Sequence, residues 1–101
     1  MSDYIGGRVT AFAGPPVTEP RKAQRVKLLE EAAEAFAAAQ EVDAARDAGM
    51  PAVEVEMDLE DELADTIQAT VNLAAIHGIS PDELDAAMER CRERNRERGR
   101  V

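Results

Sequence analysis

Two short acidic segments constrain the fold of this 101-residue chain more than any other feature. Residues 30–34 read EEAAE and residues 62–65 read ELAD, and both lie within largely apolar sequence. Residues three or four positions apart are neighbours on a helix, so each segment places like charges side by side, where they repel. Removing carboxylates from water is costly unless something positive balances them. The pattern therefore predicts two helices whose carboxylates face each other around a cation.

The carboxylates expected to converge form an all-oxygen set of the kind that Mg²⁺ prefers. The helical spacing predicts four metal ligands, Glu31, Glu34, Glu62 and Asp65. Glu30 shares a helix face with Glu34. Its role is left open: it could be a ligand, a base that orients water, or a carboxylate that contacts the ligands without touching the metal. The alternative interpretation, which holds for most acidic helix stretches, is two solvated faces.

The composition favours a helical protein that completes its core with another copy. Hydrophobic residues make up 45% of the chain, but many are alanine and only 3% of residues are aromatic. A single domain of this size and composition buries little apolar surface alone. We therefore expect an all-α fold in which a helical hairpin and a closing third helix become a helix bundle by oligomerisation, as a homodimer or a homotetramer.

Glycines and prolines set the expected boundaries. They are frequent in residues 1–17, which predicts an extended lead-in before an all-α domain over 18–101. Helix one is expected over 18–48 with Gly49 as its stop signal, and helix two over 59–77 with Asp58 as its cap. Residues 53–57 alternate apolar and acidic and are interpreted as an irregular lead into helix two. Ser80, Pro81 and Glu83 form a capping-box pattern that predicts the start of helix three.

Apolar stripes are expected to form the core. Helix one carries its stripe at three-and-four spacing, with Val26, Leu29, Ala33, Phe36 and Ala37. Helix three carries Leu84, Ala87, Met88 and Cys91, and we expect Cys91 to be a buried small hydrophobe. Val9 and Phe12 are expected to anchor the lead-in on the bundle.

Several classes of function are disfavoured. A net charge of −9 argues against a nucleic-acid-binding protein. The single cysteine excludes an internal disulfide or a multi-thiolate zinc site within the chain. The first residues show no signal-peptide pattern, and no apolar run approaches the roughly 20 residues of a membrane span. We therefore expect a cytoplasmic protein without a membrane partner.

The acidic segments carry a family resemblance. Residues 27–34 (KLLEEAAE), then 62–65 (ELAD), then Asn72 resemble the all-α nucleoside triphosphate pyrophosphohydrolases of the MazG type, whose pattern is EExxE followed by ExxD. The lead-in and the arginine-rich tail extend this resemblance to small phage-type MazG-like proteins. It implies a Mg²⁺-dependent enzyme that cleaves a nucleotide between its α- and β-phosphates, releasing a monophosphate and pyrophosphate.

The resemblance also implies roles for individual residues. Glu30 and Glu31 are the expected catalytic carboxylates. Asn72 lies in phase with Asp65 on helix two and offers an amide to a polar ligand. Further substrate contacts are expected from the tail and from helix one, namely Arg94, Asn95, Arg98 and Lys27. Lys27 could equally pair with Glu30 or Glu31, and most tail arginines suit a solvated helix end.

Two alternative functions stay open at this point. Phosphoribosyl-ATP pyrophosphohydrolase shares the paired acidic motif, so the substrate could differ within the same chemistry. A non-catalytic helical adaptor, which binds a partner through its apolar faces, is the alternative from another class. Acidic residues at all four ligand positions favour the enzyme.

Overall fold

The computed structural model describes residues 3–12 and 20–100. Three helices dominate these residues: α1 over Pro20–Asp47, α2 over Val53–Ile76 and α3 over Pro81–Glu97. Two short strands precede them, β1 over Asp3–Tyr4 and β2 over Val9–Thr10, paired in antiparallel fashion. The mostly helical content confirms the expected all-α class. The helices α1 and α2 pack against each other as an antiparallel hairpin.

The C-terminus of α1 is set by Gly49. Its φ of 68° is the left-handed conformation that favours glycine after a helix. The Gly49 amide donates to the Arg46 carbonyl at 3.0 Å, and the Met50 amide donates to the Ala45 carbonyl at 2.9 Å. These bonds satisfy carbonyls that a helix end leaves unpaired. The expected start of helix one at Thr18 lies outside the described residues.

The prediction for the start of helix two is wrong. Residues 53–57 belong to α2 instead of forming an irregular lead, and Ala52 rather than Asp58 precedes the helix. Glu54 and Glu56 lie in the first turn, where negative side chains interact favourably with the helix dipole. Arg46 at the end of α1 pairs with Glu56 at 3.6 Å and links the two helices. A five-residue alternation is too short to override these helical preferences.

The face that α1 turns towards α2 differs from its apolar stripe. The buried positions on α1 are Gln24, Glu31, Ala35 and Val42. The predicted core residues Val26, Leu29 and Phe36 are instead exposed, by 44%, 72% and 67%. The helix is therefore apolar on two sides, and a single chain covers only one of them.

The N-terminal hairpin docks on the C-terminal half of α2. Tyr4 is buried with Val71 and Ala74, and its hydroxyl donates to the Ile79 carbonyl. Val9 packs against this cluster, whereas the Phe12 side chain is exposed. Helix α2 also binds the backbone of residues 10–12, because the side-chain amide of Gln68 donates a hydrogen bond to the Thr10 carbonyl at 3.0 Å.

Helix α3 begins with the predicted capping box. The Ser80 hydroxyl accepts from the Glu83 amide at 3.1 Å, and the Ser80 amide donates to the Glu83 carboxylate at 2.9 Å. The helix packs mainly on β1, with Leu84 against the Tyr4 cluster. The prediction that Cys91 is buried is wrong, because this docking leaves the middle of α3 uncovered and Cys91 exposed. No helix within residues 3–12 and 20–100 is long and apolar enough to cross a membrane.

Candidate metal centre

The antiparallel hairpin brings together carboxylates from both acidic segments. Glu31 on α1 and Glu62 and Asp65 on α2 each place one oxygen within 4.8 Å of the others. Glu62 and Asp65 are three residues apart, so both point to the same side of α2. The three residues, named here the carboxylate cluster, belong to the predicted ligand set.

Two oxygens of the cluster are buried without a hydrogen-bond donor. Glu31 is only 5% exposed, and its Oε2 atom has no partner among the described residues. The Oε2 atom of Glu62 is buried and unpartnered in the same way. An unsatisfied buried polar group costs about 1–3 kcal/mol, and more when it is charged. A cation between these oxygens would remove that cost.

Lys27 balances part of the negative charge. Its Nζ lies 2.8 Å from Glu31 Oε1, one helical turn away, so Glu31 is one of the two partners expected for this lysine. The hydrogen bond from Lys27 lowers the pKa of Glu31 and keeps it ionised. The ammonium group contacts one oxygen of Glu31 and leaves Oε2 free to bind a ligand.

Glu34 lies beside the cluster, and its pKa is changed by the excess negative charge there. The charge of Glu31, together with the close approach of Glu62, raises the pKa of Glu34 above its ordinary value. A carboxylate surrounded by like charges keeps its proton to a higher pH unless a cation balances those charges. Glu34 therefore lies close to Glu31 and Glu62, but it is not one of the three residues whose oxygens converge within 4.8 Å.

An open cleft of about 340 Å³ adjoins the cluster between α1 and α2. Ala37 and Ala38 form part of its wall and leave space because their side chains are small. The remaining lining residues are all acidic: Glu34, Glu41, Asp58, Asp61 and Glu62. The cleft is thus a strongly negative surface that favours a cationic ligand, or an anionic ligand bound through cations.

Three lining carboxylates, Glu41, Asp58 and Asp61, are not in the predicted set. Their spacing contained the signal, because Glu41 follows Glu34 by seven residues, and Asp58 and Asp61 lead towards Asp65 in steps of three and four. This signal was missed because Asp58 was assigned as a helix cap, and a cap was not expected to share a face with Glu62.

Glu30 and Asn72 are neither members of the cluster nor lining residues of the cleft. Glu30 is exposed, and its charge adds to the larger effect of the Glu31 hydrogen bond and charge in raising the pKa of Lys27. Asn72 is 6% exposed, and its Oδ1 accepts from the Phe12 amide at 2.9 Å and from Gln68 Nε2 at 3.0 Å. The oxygen of Asn72 therefore holds the N-terminal segment on α2, a role that its phase with Asp65 did not indicate.

The tail residues lie elsewhere in the chain. Arg94, Asn95 and Arg98 are at the C-terminal end of α3, and the cleft and cluster are formed by other residues. Asn95 donates to Cys91 Sγ at 3.6 Å and accepts from Arg100 at 3.4 Å. A single chain does not bring these three residues into the cleft.

Comparison with known protein families, with curated proteins and with solved structures finds no match for this chain. Carboxylate oxygens on two rigid helices, two of them buried and unpartnered, form a donor set suited to a hard divalent cation.

Proposed function

We propose that this protein is a Mg²⁺-dependent nucleotide pyrophosphohydrolase that cleaves between the α- and β-phosphates. The observation that carries the proposal is the convergence of Glu31, Glu62 and Asp65, with two buried oxygens that lack donors. The sequence resemblance to MazG-type enzymes supports the same chemistry. The wide acidic cleft beside the cluster provides room for a polyphosphate bound through cations.

The donor atoms favour Mg²⁺ over softer metals. All three members of the cluster are carboxylates, and Glu34 adds a fourth beside them. Zinc and copper sites usually include histidine or cysteine, whereas oxygen ligands suit Mg²⁺, Ca²⁺ and Mn²⁺. Mg²⁺ usually retains several waters and binds phosphate oxygens along with a few protein carboxylates.

The proposed division of labour follows from the positions of the side chains. Glu31, Glu62 and Asp65 hold the cation, and Glu34 completes the set. Mg²⁺ in that position would neutralise charge on phosphate oxygens and lower the pKa of a bound water. Glu30 is exposed next to Glu31, and we assign to it the orientation or deprotonation of the attacking water.

The proposed substrate contacts outside the cluster include Lys27, Arg94, Asn95 and Arg98. Lys27 keeps Glu31 ionised and can contribute positive charge at the edge of the site. Arg94, Asn95 and Arg98 suit phosphate contacts because of their hydrogen-bonding groups, and the guanidinium fork matches phosphate oxygens. Asn72 is also proposed to bind the substrate from α2, in addition to holding residues 10–12 in place.

The functional unit is proposed to be a homo-oligomer in the cytoplasm. Large apolar side chains are exposed on all three helices, including Leu29, Phe36, Met57 and Met88. A second copy that covers them would supply the core that a single chain lacks. The cytoplasmic location is proposed on the basis of the low cysteine content.

A nucleotide panel tests the proposed function. The purified chain is incubated with each nucleoside triphosphate, each deoxynucleoside triphosphate and phosphoribosyl-ATP, with Mg²⁺ or with a chelator, and pyrophosphate is measured. We expect Mg²⁺-dependent release from at least one substrate and its loss in Glu31→Gln. Glu89→Gln, an exposed change on α3, is the matched control and should retain full activity.

Two results would contradict the proposal. Turnover that persists in Glu31→Gln would remove Glu31 from the site. No turnover of any nucleotide, together with a melting temperature that does not respond to Mg²⁺, would favour the helical adaptor.

A further inference from the structure

A face of α1 that lies outside its contact with α2 has a polarised pattern. Its exposed side chains recur at spacings of three and four from the start of the helix to its end, as a single stripe requires. Lys22 and Arg25 form a basic end, Leu29 and Phe36 form an apolar middle, and Asp43 and Asp47 form an acidic end. We call this set the outer stripe.

The outer stripe lies on the opposite side of the helix hairpin from the acidic cleft. Phe36 follows Glu34 by two residues, which is about 200° around the helix axis. Leu63 and Ile67 on α2 each lie two residues from Asp65 and are therefore turned away from it by the same angle. Because the carboxylates of both helices open into one cleft, these apolar residues share the reverse face of the hairpin.

This reverse face remains uncovered in the single chain. Leu29 is 72% exposed, Phe36 67%, Leu63 49% and Ile67 47%. The outer stripe runs for about 38 Å along α1, and two adjacent helices are roughly 20 Å wide. The resulting face of roughly 750 Å² is comparable with the ~800 Å² per partner of a standard protein interface.

Resting on the homo-oligomer proposed above, we infer that its interface is this face, packed against the same face of a second copy with the two α1 helices antiparallel across a two-fold axis. The charges of the outer stripe determine this arrangement. Arg25 and Asp43 are equidistant from residue 34, and Lys22 and Asp47 are centred within one residue of it. Antiparallel packing therefore places Arg25 opposite the partner's Asp43 and Lys22 opposite the partner's Asp47.

The opposite orientation is disfavoured by the same charges. Parallel α1 helices would place Lys22 and Arg25 against their own copies at one end, and Asp43 and Asp47 against theirs at the other. Like charges facing each other across an interface are strongly unfavourable, and complementary charges fix orientation. The antiparallel arrangement also brings the apolar middles of the two stripes together and leaves both acidic clefts open to solvent.

Charge reversal tests this interface. The assembly state is measured by sedimentation velocity over a range of concentrations for Arg25→Glu, Asp43→Arg and the double variant that exchanges the two charges. We expect a dimer for the native chain, a dissociation constant raised about tenfold or more in each single variant, and recovery in the double variant. Glu89→Arg on α3 is the control and should dimerise normally.

A monomer at all concentrations, with helicity intact by circular dichroism, would overturn the inference. Single variants that dimerise as well as the native chain, or a double variant that fails to recover, would overturn the proposed orientation.

Disulfide trapping provides a second test that does not depend on charge variants. Ala33 lies next to the predicted axis, and Ala38 lines the cleft on the other side of α1. In a Cys91→Ser background, Ala33→Cys should form a covalent dimer on mild oxidation, whereas Ala38→Cys should not. A covalent dimer from Ala38→Cys and none from Ala33→Cys would place the contact on the cleft side and refute the inference.

Discussion

Glu31 combines burial with an incomplete set of partners. One of its oxygens receives the Lys27 ammonium at 2.8 Å, while the other is buried without a donor. An alanine would suit this position better if stability alone mattered, as at Ala35 one turn later, which is also buried. The arrangement instead resembles a site in which stability is sacrificed to keep a charged group available for a ligand.

Glu34→Gln should raise the stability of the metal-free chain and weaken its cation binding. Without divalent cations, the substitution removes one of several mutually repelling carboxylates, so we expect the melting temperature to rise by a few degrees. With Mg²⁺, the variant should gain less stability than the native chain, because a lost ligand weakens affinity on the order of tenfold or more. Thermal denaturation with and without Mg²⁺ measures both effects.

The same residue predicts how stability depends on pH. Neighbouring charges raise the pKa of Glu34 above its ordinary value of 4.5. Between pH 4.5 and the folded pKa, the folded chain therefore holds a proton on Glu34 that the unfolded chain has lost. The contribution of this group to stability is therefore fully present below pH 4.5 and disappears as the pH rises through its folded pKa. Glu34→Gln should flatten this slope in the metal-free protein, and an unchanged slope would contradict the assignment.

At the scale of the elements, local signals predicted boundaries better than packing partners. The capping box of α3 and the glycine after α1 depend on residues within one turn, and both were predicted from the sequence. The stripe of Leu29 and Phe36 was identified as apolar, but periodicity does not reveal which neighbour covers a face. The burial of Cys91 was misjudged for the same reason, since the position at which α3 docks depends on distant residues.

The capping box makes a measurable contribution to α3. Ser80→Ala removes the acceptor for the Glu83 amide and should cost about 1 kcal/mol of helix stability. Amide hydrogen exchange along residues 81–90 reports this loss, and Ser80→Asp, which keeps an acceptor, should restore protection. Equal protection in all three proteins would show that the cap does not stabilise the helix.

Asn72 is predicted to hold the N-terminal hairpin on α2. Asn72→Ala leaves the Phe12 amide without its acceptor and should cost about 1–3 kcal/mol. Hydrogen exchange at the Phe12 amide should accelerate, while Asn72→Asp keeps the acceptor and should preserve protection. If Asn72 acts on substrate alone, activity will fall in the alanine variant with no change in exchange.

At the scale of the whole molecule, the chain is more extended than a self-sufficient domain. Its radius of gyration is 16.2 Å, against roughly 13 Å for a compact domain of 100 residues. The extension has a simple cause, because α3 docks on β1 instead of lying along the hairpin of α1 and α2. The two faces of that hairpin differ, with carboxylates on one side and exposed apolar side chains on the other.

The sequence predicted the centre of the candidate site and missed its surroundings. Glu31, Glu62 and Asp65 converge as expected because helical spacing and an antiparallel hairpin suffice to bring them together. To predict that Glu41 and Asp61 line the cleft, one would have needed the observed start of α2 and the alignment of the two helices. The contact of Asn72 with Phe12 joins residues 60 positions apart, which no local pattern encodes.

Calorimetric titration of the metal-free chain with Mg²⁺ shows whether the carboxylate cluster binds a divalent cation. We expect saturable binding at about one site per chain, largely lost in Glu62→Gln and unchanged in Glu89→Gln. Heats that are absent in the native chain, or that persist in full after Glu62→Gln, would show that the cluster does not bind the cation.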